Sequence, residues 1–350
     1  MEHEENALSR RRTLLERSGA RIVDLTVTNP TAVGLSPTGV ALPVADVYEP
    51  EPLGVHAARE ALSRWTGAEH VVLSASTSEA YAWLFKLLGD ALVPTPCYPL
   101  LDYLAELEKV TLRAYPLRYD GRWCTDAPLV AEAASPTTRA VIAVSPGNPT
   151  GTYLSDDEAR GLAELCASRG WALIIDEVFA EPSRSFARRR DWPCLTFTLG
   201  GLSKACGLPQ LKLAWMTVHG PGAEAALDRL AHIADAYLSV STPVQLAAGA
   251  LLEQHAAPFR ARVAERCARN RSSLVGLPAG WQLSNADAGW TAVLRVPQDV
   301  DEETRCLELL ERGVAVHPGY FYDFPSGAHL VLSLLPLPEV FDEGVRRLIS

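Results

Sequence analysis

The residues with the clearest chemical potential lie in the run Gly201-Leu202-Ser203-Lys204-Ala205-Cys206-Gly207, which sets one lysine among small and apolar neighbours. Only Lys86, Lys109, Lys204 and Lys212 are lysines; arginine supplies the other basic charges. A desolvated lysine can lose its proton and attack a carbonyl, which arginine cannot do. Lys204 is therefore read as an amine nucleophile of the Schiff-base kind, against the plainer reading of a surface lysine. Four further segments carry reactive or recognising groups. They are Ser74-Ala75-Ser76-Thr77-Ser78, Cys97-Tyr98-Pro99, Ser145-Pro146-Gly147-Asn148-Pro149-Thr150-Gly151, and Asp176-Glu177.

The surrounding pattern explains how such scattered residues could meet. Apolar strands are expected at 71–73, 91–93, 139–144, 171–175 and 195–199, with helices at 78–88, 100–108 and 155–168 between them. Ser155 and Glu158 have the spacing of a reciprocal helix cap, and Gly170 stops that helix. Apolar strands alternating with helices predict an α/β fold with a mostly parallel central sheet and helices on both faces. Helices at 9–18 and 57–65 and a strand at 22–27 precede it. Beyond Thr242 the rhythm changes. Helices at 243–252 and 259–274 lead to strands at 291–296, 314–317 and 329–334, read as a smaller α+β domain. The division expected is a large domain at 46–240 and a small domain built from 241–350 with the N-terminal arm 1–45.

In an open parallel sheet, ligands bind beyond the C-terminal ends of the strands. Each of the five segments follows such an end. Ser76 and Thr77 open a helix whose free amides favour a phosphate. Tyr98 offers an aromatic face, Asn148 an amide on a loop stiffened by prolines, Asp176 a carboxylate that needs a cationic partner, and Lys204 an amine. Singly, each has an ordinary structural explanation. Together they suit a phosphorylated aromatic aldehyde with a basic ring nitrogen, pyridoxal 5'-phosphate.

The segments 145–151, Asp176-Glu177-Val178-Phe179 and Leu202-Ser203-Lys204, in this order, resemble the aspartate aminotransferase superfamily, the fold-type-I pyridoxal-phosphate enzymes of class I/II. The similarity runs from about Asp24 to Leu335. It implies a transaminase that moves an amino group from an amino acid or other amine to a 2-oxo acid or other carbonyl acceptor. It implies catalytic roles for Lys204 as the Schiff-base lysine, Asp176 as partner of the ring nitrogen and Tyr98 as the ring-stacking residue. Asn148 would bond the ring 3'-oxygen, and Ser76, Thr77 and Lys212 would hold the phosphate. Tyr48 would reach the phosphate of a neighbouring subunit, so a homodimer is implied. Asn29 lies where the family covers its substrate. Tyr320, in the aromatic run 320–324, is a further candidate for substrate contact.

Several positions depart from the family pattern. Phe179 stands where many relatives carry a tyrosine, Gly201 where a phosphate-binding serine is usual, and Lys212 where an arginine is usual. The segment 88–92 is short. The C-terminal strand Ala328-His329-Leu330-Val331-Leu332-Ser333 lacks the arginine that clamps a substrate α-carboxylate; Arg295 is a candidate replacement. That absence keeps a pyridoxal-phosphate lyase, decarboxylase or cyclising enzyme open, beside a non-catalytic cofactor-binding homologue.

Composition narrows the partners. The 350 residues are 48% hydrophobic and carry a formal net charge of −10. An acidic chain of this kind has no footprint for nucleic acid or an anionic membrane. The seven scattered cysteines and eight histidines show no metal spacing and no disulfide framework, which points to a reducing cytoplasm and no metal site. The polar start Met1–Glu5 is unlike a secretory signal, and no apolar run is long enough to span a bilayer.

Overall fold

A computed structural model describes residues 6–350; the acidic start Met1–Glu5 lies outside them. Its centre is a seven-stranded sheet in the order His70–Ser74, Ala214–His219, Thr196–Gly201, Ala172–Asp176, Ala140–Val144, Ala91–Thr95, Leu112–Pro116. The last five of these run parallel to one another. Ala214–His219 is antiparallel to both of its neighbours, so His70–Ser74 points the same way as the parallel set. The expected α/β class is therefore present, with one reversed strand. That strand follows Thr196–Gly201 through residues 202–213, which carry Lys204 and bring the chain back beside the strand it has just left.

Alternate side chains of each central strand enter different cores, which is why these strands read as continuous apolar runs. Ala172 and Ile174 pack with Tyr81, Leu84 and Phe85 of the helix Thr77–Leu88. Leu173 and Ile175 pack with Ala159, Leu162 and Cys166 of the helix Asp156–Arg169. The Ser155 hydroxyl accepts from the Glu158 amide at 3.2 Å, and the Glu158 carboxylate accepts from the Ser155 amide at 2.8 Å. Gly170 closes this helix in the left-handed region.

The C-terminal region builds a four-stranded antiparallel sheet in the order Gln282–Leu283, Thr291–Val296, Ala328–Ser333, His317–Pro318. Its core takes in Leu25 from the N-terminal segment and Phe341 from the helix Pro338–Ile349. The expected strand at 22–27 shrinks to Val23–Asp24, paired with Val314–Ala315. The helices expected at 243–252 and 259–274 are joined by a π-helical turn, Leu252–Ala256. Pro258 has no amide to donate, and a wider turn just before it keeps the chain helical through that gap.

The two sheets are fastened together at the Asn148 loop. The Thr291 hydroxyl donates to the Pro149 carbonyl at 2.8 Å. The amides of Asp287 and Ala288 both donate to the Gly151 carbonyl at 2.9 Å. Gly151 has a φ of +68°, and a Cβ there would run into the Ala288 carbonyl and sit 2.8 Å from the Ala286 methyl. A Gly151→Ala protein is expected to lose about 2–4 kcal/mol, the sum of a left-handed backbone penalty and an overpacked contact. Urea unfolding measures this; an unchanged midpoint means the seam yields without cost.

Candidate active site

The strand register brings the predicted residues to one edge of the large sheet. Val144 pairs with Asp176, and Asp176 with Leu199. Ser74 pairs with Ala214, and Ala214 with Gly201. The segments holding Asn148, Asp176, Lys204, Lys212 and Ser76 therefore leave the sheet at the same end. Tyr98 follows the parallel strand Ala91–Thr95 at that end too.

Lys204 sits in the single turn Leu202–Ala205 that follows the strand Thr196–Gly201. Its ammonium lies 4.6 Å from the centre of the Trp290 ring and 5.4 Å from that of Phe179. No carboxylate pairs with it among the described residues. Burial lowers its pKa to about 8. A cation held by aromatic faces alone is stabilised less than one held by an acid, so the neutral amine is within reach near pH 7. Lys204 also lines a cavity of about 440 Å³ between the large sheet and the helix Ala257–Ser272.

Asp176 ends its strand with one oxygen accepting from the Val178 amide at 3.1 Å and the other from the Tyr81 hydroxyl at 3.0 Å. Burial raises its pKa, and these two bonds oppose the rise. No cation pairs with it among the described residues, so the electrostatic demand of a carboxylate at the end of an apolar strand stays unmet by the chain itself. The neighbouring Glu177 is satisfied differently. It accepts from the Ser185 hydroxyl and the Phe186 amide, both at 2.6 Å, and fixes the loop that follows.

Ser76 caps the helix Thr77–Leu88, its hydroxyl accepting from the Glu79 amide at 3.2 Å. The cap leaves that hydroxyl its own proton to donate. The amides of Thr77 and Ser78 precede the first intrahelical acceptor. Lys212, with φ 52°, is exposed in the turn before Ala214–His219. Asn148 lines a narrower pocket with Pro96, Trp123 and Tyr153. Tyr98 and Tyr48 are both exposed. Asn29 is exposed, its carboxamide oxygen accepting from the Thr31 amide at 3.0 Å and hydroxyl at 2.7 Å. The Tyr320 hydroxyl donates to Glu303 at 3.2 Å.

The C-terminal strand shows what occupies the face without its arginine. Val331 packs with Val293 and Tyr322 in a small apolar cluster. Arg295 does not line the Lys204 cavity; it lines a separate one. The guanidinium groups that do share the Lys204 cavity are Arg184, Arg260 and Arg271. Arg260 is the most telling. It is largely buried, burial lowers its pKa, and its nearest acid, Glu181, is 3.9 Å away and half exposed. Sequence reasoning missed Arg260, Tyr81 and Trp290. Arg260 is one of five arginines in a single helix, and only the packed fold shows that it and Arg271 line the Lys204 cavity.

The model of the family "Aminotransferase class I and II" matches residues 50–333. The chain belongs to this family. It is an aminotransferase. Its similar relatives include an alanine aminotransferase of Mycobacterium tuberculosis, 24% identical over 385 residues, covering 95% of this chain and 86% of the relative. A glutamate-pyruvate aminotransferase, AlaA, of Escherichia coli is 25% identical over 257 residues, covering 66% of this chain and 63% of the relative. Among solved structures, an alanine aminotransferase from Pyrococcus furiosus superposes with a TM-score of 0.83 at 19% identity, covering 98% of this chain and 96% of that one. The N-succinyldiaminopimelate aminotransferase of M. tuberculosis gives 0.78 at 22% identity, covering 99% and 97%. These likenesses confirm the fold of the aminotransferase. No helix among its described residues is long and apolar enough to cross a membrane, and no group of three or more metal-ligating side chains occurs among them.

Proposed function

We propose that this aminotransferase works with pyridoxal 5'-phosphate held at the strand-end edge, moving the amino group of an amino acid to a 2-oxo acid. The observation that carries this reading is Lys204 with no acid and Asp176 with no cation among the described residues, both half-buried at the same sheet edge. The donor set suits the cofactor: an amine for its aldehyde, a carboxylate for its ring nitrogen, an amide for its ring oxygen, and helix-start amides for its phosphate. When bound, the cofactor supplies a carbonyl that amines exchange on and a ring that withdraws electrons from the substrate Cα.

The chain's own residues do the rest. Lys204 would hold the cofactor through its Nζ, and the same Nζ would take the proton from the substrate Cα. Asp176 keeps the proton on the ring nitrogen, and Tyr81 and Val178 hold its oxygens in place. Asn148 would donate to the ring oxygen, and Tyr98 would be the residue to stack on the ring. The Ser76 hydroxyl, the Thr77 and Ser78 amides and Lys212 take the phosphate. Arg260 and Arg184 give the cavity the positive charge that a carboxylate substrate requires. Tyr320 and Asn29 remain proposed substrate contacts.

Tyr48 belongs to an exposed segment with Val44 and Val47, which suits a face covered by a second copy. A homodimer with shared sites follows, together with a lobe division at 46–240 against 1–45 and 241–350. Seven free cysteines fit a reducing cytoplasm.

The names of the relatives make alanine and glutamate the first donors to test. Mixing holoenzyme with each amino acid alone should bleach the yellow cofactor band without release of ammonia or carbon dioxide. Release of either gas marks a lyase or decarboxylase; an unchanged band with every donor removes the transamination reading. A second measurement follows from the Lys204 pKa. The neutral amine attacks, so the rate at which apoprotein captures pyridoxal phosphate should rise with pH and level off above about 8. A rate already level at pH 6 would place the amine in a different environment.

A further inference from the structure

A second cavity, of about 570 Å³, lies over the small sheet and shares no lining residue with the Lys204 cavity. Its floor is a row of side chains in cross-strand register, Gln282 opposite Arg295 and Arg295 opposite His329. Its wall is the hairpin pair Tyr119 and Trp123, whose rings lie 5.1 Å apart. Arg295 is the one charged residue in the lining, and no carboxylate faces it there. It is exposed and has no hydrogen bond or ion pair among the described residues.

Two buried ring nitrogens of the lining, Trp123 Nε1 and His329 Nδ1, also have no partner. His329 is stacked on Phe324 at 4.0 Å, and burial and the charge of Arg295 lower its pKa to about 4, so the imidazole is neutral. An indole N–H left without an acceptor is costly in a protein interior. A site built of an unpaired guanidinium and flat aromatic walls favours an anion carried on a planar apolar body.

The geometry points to this cavity as a binding site for an aromatic carboxylate, its oxygens on the Arg295 guanidinium and its ring against Tyr119 and Trp123. The position relative to the amine is set by the sheet. Thr291 is bonded to Pro149 beside Asn148, and Arg295 lies four residues further along the same face of the same strand. At roughly 3.3 Å per residue that is about 13 Å along the strand, and Arg295 does not line the Lys204 cavity. Trp123 and Leu117 line both this cavity and the Asn148 pocket, so the two are neighbours. The assignment rests on the proposed function only for this placement, because binding is read directly.

The test uses purified holoenzyme with indole-3-acetate as probe, followed by calorimetry, and indole as the control lacking a carboxylate. Saturable binding of indole-3-acetate is expected, with indole weaker, and Arg295→Gln should weaken the acid by roughly ten- to hundredfold. A Trp123→Phe protein should weaken it less. No saturable binding by the natural protein, or equal affinity in the Arg295→Gln protein with an unchanged melting temperature, overturns the site. Inhibition kinetics against the amino donor then separate the two sources of such a group. Competition means that the cavity takes the distal end of a long substrate, and non-competitive inhibition means that it takes a separate ligand; the site stands in both. A failed donor screen with intact probe binding would refute the proposed function and leave this site in place.

Discussion

A Lys204→Ala protein is expected to keep its fold and to lose turnover by at least about 10⁴-fold, the scale seen when a covalent nucleophile is removed. The reasoning starts from the local environment. The side chain makes no ion pair, its ammonium faces two rings, and it packs in a single turn that is held from behind. The Leu202 amide donates to the Leu213 carbonyl at 3.0 Å, and the Leu208 amide to the Leu202 carbonyl at 3.2 Å. These bonds do not involve the lysine side chain, so its removal should leave melting temperature nearly unchanged. The measurement is single-turnover and steady-state transamination beside a thermal melt. Turnover within tenfold of the natural protein would end the proposed mechanism.

The second large effect is expected at Asp176. An Asp176→Asn protein keeps an oxygen for one of its two hydrogen-bond donors and loses the negative charge. The expected loss is about 10²- to 10³-fold in kcat, on the order of 3–4 kcal/mol, as for other preorganised electrostatic partners. The sign is fixed by the site: the carboxylate has no cation of its own, so its whole field is available to the ring nitrogen. A Tyr81→Phe protein separates charge from placement. It removes one of the bonds that oppose the rise in the Asp176 pKa, and the loss should be smaller than for Asp176→Asn. An unchanged kcat in Asp176→Asn would mean that the ring nitrogen is not protonated during turnover.

How much of the fold is legible in the sequence depends on the range of the interaction. The helix Asp156–Arg169 is bounded by a reciprocal cap and a left-handed glycine, both local, and the pattern Ser155–Glu158–Gly170 carries them in full. The apolar runs that form the parallel strands are legible because burial on both faces leaves no polar position. Strand direction is not. Ala214–His219 is as apolar as its neighbours, and nothing in its residues marks that it runs antiparallel to both of them. The edge strand Leu112–Pro116 gives no clear signal because only Tyr115 of its residues is fully buried. The helices Ala223–Asp235, Glu302–Glu311 and Pro338–Ile349 are missed although their buried residues recur at helical spacing, as Phe341, Val345 and Leu348 do.

The site follows the same division. Lys204, Asp176, Asn148 and Ser76 each stand at a strand end, and the rule that ligands gather there is enough to group them from the order of strands alone. Arg295 is a plausible carboxylate clamp by charge, yet the register puts it beside His329 and away from Lys204. Trp290 reaches Lys204 from the turn before Thr291–Val296, and Arg260 of the helix Ala257–Ser272 lines the same cavity, a meeting that no spacing encodes.

The seam at Gly151 has a mechanical consequence. Because Thr291, Asp287 and Ala288 grip the segment that carries Asn148, the small sheet cannot swing over a bound substrate without dragging that amide with it. Any tightening of the cleft during turnover must come from elsewhere. The strip from Thr26 to Ser36 is itself tied down, by Ser36 to the Gly207 carbonyl at 2.7 Å, by Arg262 to the Leu35 carbonyl at 2.8 Å, and by Leu35 in the core of the small sheet. The walls on both sides of the cleft are therefore braced, and substrate enters a pocket whose frame is already set.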